Sequence, residues 1–231
     1  MTDAPMTARA RVRQTMVAEI KQAARAQVAT SGAAGLSLRL VCRDLGMSSS
    51  AIYRYFASRD ELLTALILDG YDAVGAAAEE ADATSGERGP RERFARIAAA
   101  VRAWALQHPH EYALLYGSPV PGYSAPPETI GPATRVAVAF ARVLVDAHHA
   151  SHPDVAAIPM QRADLDPGIS AVLPAFAALP DDLIADGLMA WTSVFGLISF
   201  ELFGHLVGSV ADPTVFFASQ VARIADGLNL E

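Results

Sequence analysis

The chain has 231 residues, of which 52% are hydrophobic and 19% are charged, and these values exclude intrinsic disorder of the whole chain. The length suffices for one large domain or for a small domain joined to a larger one. The single cysteine, Cys42, excludes a disulfide framework and a cysteine-built zinc site. No apolar run follows the N-terminal arginines, so no secretory signal is predicted and the protein is expected in the cytosol.

The net charge of −7 is distributed unevenly along the chain. Residues 1–63 hold nine basic and five acidic side chains, whereas the remainder holds nine basic and twenty acidic ones. A basic end on an acidic protein is typical of a surface that binds a polyanion. An ordinary solvated surface is the alternative at this stage.

The N-terminal region is predicted to be helical. Apolar residues spaced by three and four from Val17 to Val28 predict a helix that ends near Gly32. Residues 1–13, with three arginines, are expected to form a flexible basic arm. This arm either follows a phosphate backbone or is a frayed, solvated terminus.

Two short helices joined by a glycine turn are predicted next. Ser37 is placed to cap a helix through Leu45, and Gly46 suits the left-handed conformation that ends a helix. Ser48 can cap a third helix that runs to Phe56. Two short helices joined in this way form a helix-turn-helix pattern.

A capping box is predicted at the start of the fourth helix. Ser58 is expected to bond the amide of Glu61, whose own side chain reaches back. Arg59 then lies in the first helical turn. There its guanidinium and the free backbone amides would point toward an anion.

The segment from Leu36 to Leu63 resembles the DNA-binding domain of TetR-family transcriptional regulators. The matching positions are Ser37, Gly46, Ile52-Tyr53-Arg54-Tyr55-Phe56 and Arg59-Asp60-Glu61-Leu62. The resemblance covers roughly residues 14–72. It implies a helix-turn-helix domain over these residues and double-stranded DNA as the partner.

The predicted DNA-contacting residues form three groups. The N-terminal end of a recognition helix enters the major groove, and in this sequence that end carries short side chains. Arg39 lies on the preceding helix, and its guanidinium can donate two hydrogen bonds to the edge of a guanine. By resemblance, Tyr53 and Arg59 match residues that contact DNA phosphates, and Tyr55 matches a position near the DNA backbone or a base. The alternative for both tyrosines is half-buried packing within the protein. The full set is Arg39, Ser48, Ser49, Ser50, Ala51, Tyr53, Arg54, Tyr55 and Arg59.

Residues 73–231 are predicted to form an all-α domain for effector binding and dimerisation. Phe94 to Ala105 follows a helical spacing, and residues 119–127 hold four prolines and are predicted as a loop. No segment alternates with the period of a strand. Further helices are predicted over residues 132–149, 167–178, 181–210 and 214–228.

The segment from Ala190 to Leu206 resembles the WHG-type ligand domain of some members of the same family, although Phe195 stands where that motif has a histidine. Its charge-free run, Gly187 to Phe200, is too short for a membrane span, which favours a buried or subunit-facing helix. The candidates for lining an apolar effector cavity, each with core packing as the alternative, are Trp104, Tyr112, Tyr116, Trp191, Phe195 and Phe200.

Glu201 and His205 are four residues apart on the same predicted helix. They are either a polar pair at a subunit interface or polar groups in the cavity, and the sequence leaves both interpretations open.

No catalytic residue, cofactor or metal site is predicted, because the sequence has no G-x-S-x-G motif, no H-E-x-x-H motif and no phosphate-binding glycine loop. His148, His149 and His152 include an i, i+4 pair that suits zinc or copper, but their place near a predicted helix end favours an interaction with the helix dipole.

The sequence thus predicts a homodimeric, ligand-responsive repressor that binds a palindromic operator and is released by a small, largely apolar effector. An all-α enzyme carrying a helix-turn-helix and an effector-free architectural DNA-binding protein are the alternatives.

Overall fold

The computed structural model describes residues 7–86, 88–150 and 180–231, and within these ranges all regular structure is helical. The all-α prediction is therefore confirmed. The α-helices are α1 (Ala8–Ser31), α2 (Leu38–Asp44), α3 (Arg59–Ala83), α4 (Pro90–Gln107), α5 (Pro109–Tyr116), α6 (Ile130–Ala150), α7 (Asp181–Leu202) and α8 (Pro213–Gly227). Single 3₁₀ turns occur at Ala33–Gly35, Ile52–Arg54 and Pro127–Thr129.

The chain forms two compact units. The N-terminal unit contains residues up to Gly70 together with His110–Thr129, and the C-terminal unit contains Tyr71–Pro109 and Ile130–Glu231. The sequence predicts a domain boundary near residue 72, with residues 110–129 in the second domain. These residues join the N-terminal unit because Leu115 packs on Gly70 and the Tyr123 hydroxyl lies 2.9 Å from that of Thr64.

The helix-turn-helix core forms where the sequence predicts it. Ile20 on α1, Val41 on α2, Ile52 in the second 3₁₀ turn and Leu62 on α3 are almost completely buried. Gly46 ends α2 with a φ of +63°, a conformation that costs other residues more than glycine.

The first helix begins earlier than expected. The Thr7 hydroxyl accepts a hydrogen bond from the Ala10 amide at 3.2 Å, and α1 runs from Ala8. From Ala8 onward, the predicted arm of residues 1–13 is therefore part of this helix, and its three arginines lie on the first two turns. Residues 1–6 lie outside the described residues.

The third helix of the helix-turn-helix domain is shorter and tighter than predicted. Residues 48–56, hereafter the recognition segment, consist of turns and the 3₁₀ turn Ile52–Arg54 instead of an α-helix from Ser48. Serine hydroxyls compete for local hydrogen bonds, and those of Ser48 and Ser50 lie 3.3 Å apart. The segment is therefore held by i→i+3 bonds such as Tyr55 N–H to Ile52 C=O at 2.8 Å.

The core of the C-terminal unit is apolar, and a largely buried ion pair joins two of its helices. The rings of Phe94 and Phe140 lie 4.9 Å apart between α4 and α6. Arg102 donates both to Glu201 Oε2 at 2.7 Å and to Oε1 at 2.6 Å, and each side chain is only 13% exposed. This bidentate pair fixes α4 against α7.

A second arginine joins α6 to α3 in the C-terminal unit. Arg135 donates to both carboxylate oxygens of Glu79 and to the carboxylate of Asp72. The hydrogen bonds from Arg135 lower the pKa of Glu79. Because the folded-state pKa is depressed, this stabilisation is present above the ordinary carboxyl pKa and is lost as the pH falls through the lowered value.

The last long helix pair differs slightly from the prediction. α7 ends at Leu202 instead of near residue 210, because the chain turns at Gly204, whose φ is +79°. The predicted helix over 167–178 lies outside the described residues. Leu183–Leu202 has the length and hydropathy of a membrane span, with a mean hydropathy of 1.6, although part of it is buried inside this unit.

We expect Gly46→Ala to lower the free energy of unfolding by about 1–2 kcal/mol, because alanine disfavours the left-handed conformation at this turn. Gly131→Ala is the matched control, since Gly131 lies in α6 with open space around it and no positive φ. Thermal and urea unfolding of both variants checks the expectation. Equal effects of the two substitutions would contradict it.

Candidate nucleic-acid interface

The side chains predicted to read bases are exposed. Arg39 projects from the first turn of α2, and the three serines 48–50 are exposed where the recognition segment begins. Tyr53 is 59% exposed, which is unusual for an aromatic side chain that packs in a core. Arg39 forms no ion pair with any residue that the structure describes. These groups are available to a ligand outside the chain.

The end of the recognition segment forms one wall of a basic groove. Arg54 and Tyr55 line it together with Arg9 and Arg13 of α1, and its volume is about 450 Å³. The Arg13 guanidinium lies 5.3 Å from the ring centroid of Tyr55. Tyr55 is half-buried, and Ala51 is half-buried at the start of the 3₁₀ turn. The structure thus brings the predicted arm and the recognition segment together.

Arg59 has an intramolecular role. Its Nε donates to the Leu36 carbonyl at 3.0 Å and its Nη2 to the Ala33 carbonyl at 2.8 Å, and the side chain is 29% exposed. Its Nη1 donates to Asp60 at 3.1 Å. The guanidinium therefore completes the hydrogen bonding of the chain that enters α2. The phosphate contact implied by the resemblance stays a prediction.

The capping box before α3 forms as predicted, with one difference. The Glu61 amide donates to the Ser58 hydroxyl at 3.0 Å. The Glu61 carboxylate accepts from the amide of Ala57 instead of that of Ser58. Both interactions hold the chain at the point where it leaves the recognition segment.

Sequence reasoning missed Gln27, which is buried on α1. Its Oε1 accepts from the Ser37 amide at 3.2 Å, and its Nε2 lies 3.4 Å from the Asp44 carboxylate. Gln27 thus contacts both ends of α2. The signal was present, because Gln27 is a polar residue on the buried face of a helix whose neighbours there are apolar.

The six candidates for an effector site are divided between the two units. Tyr112 and Tyr116 belong to the N-terminal unit, where their rings lie 5.0 Å apart. In the C-terminal unit the rings of Trp191 and Phe195 lie 5.5 Å apart, and Trp104 is buried and stacks on His108.

Trp191 carries an unusual feature. Its Nε1 is buried and has no hydrogen-bond partner among the described residues, although buried indole N–H groups normally find one. Phe200, unlike the buried Trp104, is 54% exposed and lines an open groove between α7 and α8.

Glu201 and His205 do not form a pair in the structure. Glu201 is committed to Arg102 inside the C-terminal unit, whereas His205 is exposed and its ring lies 5.1 Å from that of Phe200. In the histidine cluster near the end of α6, His152 lies outside the described residues. No group of metal-ligating side chains occurs in the part of the chain that the structure describes.

An exposed helix-turn-helix with arginine and serine donors defines a DNA-binding protein, and comparison with known proteins identifies its family. Residues 20–66 match the family model of bacterial regulatory proteins, tetR family, and residues 94–224 match that of the tetracyclin repressor-like C-terminal domain. The chain belongs to the TetR family of transcriptional regulators.

Individual relatives agree with this assignment. The HTH-type transcriptional regulator Rv1816 of Mycobacterium tuberculosis is 42% identical over 216 residues, which is 90% of each chain. A crystal structure of the regulatory protein SCO4313 superimposes with a TM-score of 0.74 at 33% identity, over 95% of this chain and 100% of the other. RolR, solved in complex with the ligand resorcinol, shares the fold with a TM-score of 0.51 at 16% identity, over 95% and 94%.

We expect Arg59→Ala to destabilise the protein by about 1–3 kcal/mol, because it removes the side-chain donor from the Leu36 carbonyl and one of the two donors from the Ala33 carbonyl. Arg59→Lys restores little of this loss, since an ammonium lacks the planar fork that reaches both carbonyls. Arg43→Ala, at a side chain that is 75% exposed on α2, is the control and leaves stability nearly unchanged.

Thermal unfolding measures the loss of stability, and the salt dependence of DNA binding measures a phosphate contact. Unchanged stability of Arg59→Ala with a shallower salt dependence would contradict the intramolecular role. It would instead support the phosphate contact.

Proposed function

We propose that this protein is a ligand-responsive repressor that binds a palindromic operator as a homodimer and is released by a small, largely apolar effector. One observation supports the proposal most directly. Arg39, the serines 48–50 and Tyr53 are exposed on a helix-turn-helix whose apolar residues are buried in its core. The choice of repression over activation follows the common behaviour of the family. Because its partner is chromosomal DNA, we place the protein in the cytoplasm.

Base recognition is assigned chiefly to Arg39. A guanidinium can bond the O6 and N7 of guanine together, whereas a serine offers one hydroxyl to a base edge. Tyr53 and Arg54 are assigned to the phosphates that flank the contacted bases, where they fix register without reading sequence. The short serine side chains allow the backbone of the recognition segment to approach the groove floor closely.

Dimerisation is assigned to the groove between α7 and α8. The groove is open, has a volume of about 530 Å³ and is lined mostly by apolar groups, including Met189, Leu197 and Phe216. Met189 and Phe200 are 65% and 54% exposed in the single chain. Large exposed apolar residues on two adjacent helices are typical of an interface, and a second copy of the same pair would cover them by two-fold symmetry.

The effector site is assigned to the Trp191 and Phe195 rings in the C-terminal unit. The buried Nε1 of Trp191 is a donor that a ligand carrying an acceptor oxygen would satisfy. The neighbouring aromatic ring favours a planar, largely apolar molecule. RolR, which has the same fold, was solved with resorcinol, a ligand of this chemical class.

Release from DNA follows from linkage between the two sites. Two DNA-binding units on a two-fold axis would contact half-sites about 34–36 Å apart. An effector that binds better to a different conformation of the dimer lowers DNA affinity, and DNA lowers effector affinity by the same factor. The effector then acts by changing the population of dimers whose spacing fits the operator.

Selection of bound sequences from a random DNA pool tests the proposal directly. We expect an enriched palindrome, and Arg39→Ala should lose about 1–3 kcal/mol of discrimination at one base position in each half-site. Arg43→Ala, on the same helix, is the control that keeps this discrimination. No enriched sequence would contradict operator binding, and DNA bending without enrichment would favour an architectural protein.

We expect Met189→Asp to convert the dimer into a monomer, because it would bury a carboxylate in an apolar interface. Leu106→Asp, at another exposed apolar residue of the C-terminal unit, is the control and should leave the dimer intact. Sedimentation at micromolar concentration distinguishes the two. A monomeric parent protein, or a dimeric Met189→Asp variant, would contradict this interface.

A further inference from the structure

The recognition segment lacks the regular hydrogen bonding of an α-helix, although the Phe56 amide donates to the Ile52 carbonyl at 3.0 Å, and a contact from α1 reaches its far end. Its single 3₁₀ turn ends at Arg54, whose carbonyl is not enclosed by a following helical turn. Arg13 Nη1 donates to this carbonyl at 2.8 Å. The bond joins residues that are 41 positions apart in the chain, so it is a tertiary contact and not a local cap.

The same guanidinium makes a second contact on the segment. Its Cζ lies 5.3 Å from the ring centroid of Tyr55, which is within the range of a cation–π interaction. One planar group thus holds the last carbonyl of the 3₁₀ turn and the side chain that follows it. Two contacts from one rigid group restrict both the position and the rotation of this end of the segment.

Arg13 is itself on a helix that is anchored in the N-terminal unit. Ile20 and Ala24 of α1 are completely buried, and Lys21 and Arg25 bond the two carboxylate oxygens of Asp69 on α3 at 2.7 and 2.6 Å. These contacts fix the helix axis from which Arg13 extends. Arg13 therefore ties the recognition segment to the core of this unit, in addition to the buried side chains of Ile52 and Phe56.

We propose that Arg13 is a positioning residue for sequence recognition: it holds the recognition segment in the conformation that reads DNA. This role differs from a phosphate contact, in which Arg13 would add affinity for every sequence through its charge. The inference rests on DNA binding by the helix-turn-helix and does not require a particular effector or a particular sign of regulation.

Three variants separate positioning from charge. Arg13→Ala removes the charge and both contacts. Arg13→Lys keeps the charge but cannot lie flat on a ring while bonding a carbonyl as a planar fork does. Arg11→Ala removes an equal charge two residues away on the same helix and measures the electrostatic contribution alone.

The measurements are the affinities for the selected operator and for unrelated DNA, each over a range of salt concentrations. We expect Arg13→Ala and Arg13→Lys to reduce the ratio of specific to non-specific affinity by about tenfold, with the salt dependence of Arg13→Lys equal to that of the parent. Arg11→Ala should keep the ratio. In the free protein, amide hydrogen exchange over residues 52–56 should rise for both Arg13 variants and not for Arg11→Ala.

Two results would overturn the proposal. If Arg13→Lys binds like the parent and Arg13→Ala lowers the salt slope by about 0.9, Arg13 is a phosphate ligand. If both variants keep the specificity ratio, or if Arg13→Ala unfolds the protein as a whole, Arg13 does not act on the recognition segment. Failure to find any operator would instead contradict the proposed function and would be seen already with the parent protein.

Discussion

The helix-turn-helix of this protein depends on hydrogen bonds from arginine side chains to backbone carbonyls. Short helical pieces leave carbonyl groups without amide partners, and a buried or crowded carbonyl without a partner is costly. Arg59 supplies the donors where the chain enters α2, and Arg13 supplies one to the exposed carbonyl of Arg54, where the recognition segment ends. A guanidinium suits this task because its several N–H groups lie in one plane. The basic residues here are thus divided between holding the domain and facing DNA.

In the C-terminal unit, arginine side chains bond carboxylates instead of backbone carbonyls. Arg93, Arg102 and Arg135 each bond carboxylates on other helices, and the Arg102 pair with Glu201 is nearly enclosed. Such pairs contribute little net stability, since desolvation offsets much of the attraction, but an unpaired partner would be strongly unfavourable. Their effect is to restrict which helix faces can meet, while the apolar residues of α4, α6 and α7 supply the burial.

The architecture could be predicted from the sequence wherever a local signal was strong. Gly46, the capping box at Ser58 and the proline loop before residue 127 each specify a chain reversal or a helix start, and the helices begin and end there. The start of α1 was misjudged because arginines carry no apolar periodicity, although they are good helix formers. The 3₁₀ form of the recognition segment could not be predicted, because serine both caps helices and competes for local hydrogen bonds, and its sequence position alone does not distinguish the two.

The residue types of the candidate site were predictable from the sequence. Which arginines bond the protein's own backbone and which face DNA was not. The sequence indicates that Arg39, Arg54 and Arg59 belong to the same basic region, yet only tertiary contacts show that Arg59 is turned toward the carbonyls of residues 33–36. The partners of Gln27 and Arg13 could not be predicted, because they lie 10 and 41 residues away. Long-range partners of this kind are not encoded in spacing.

The serines at the start of the recognition segment have a consequence for how such proteins diverge. Ser48, Ser49 and Ser50 are all exposed, and nothing in the core of the N-terminal unit depends on their side chains. Replacement of one of them by a longer polar residue would change the base contacts while the buried core of the unit stays intact. A duplicated copy of this gene could therefore be retargeted to a new set of promoters by very few codon changes, while its scaffold stays the same.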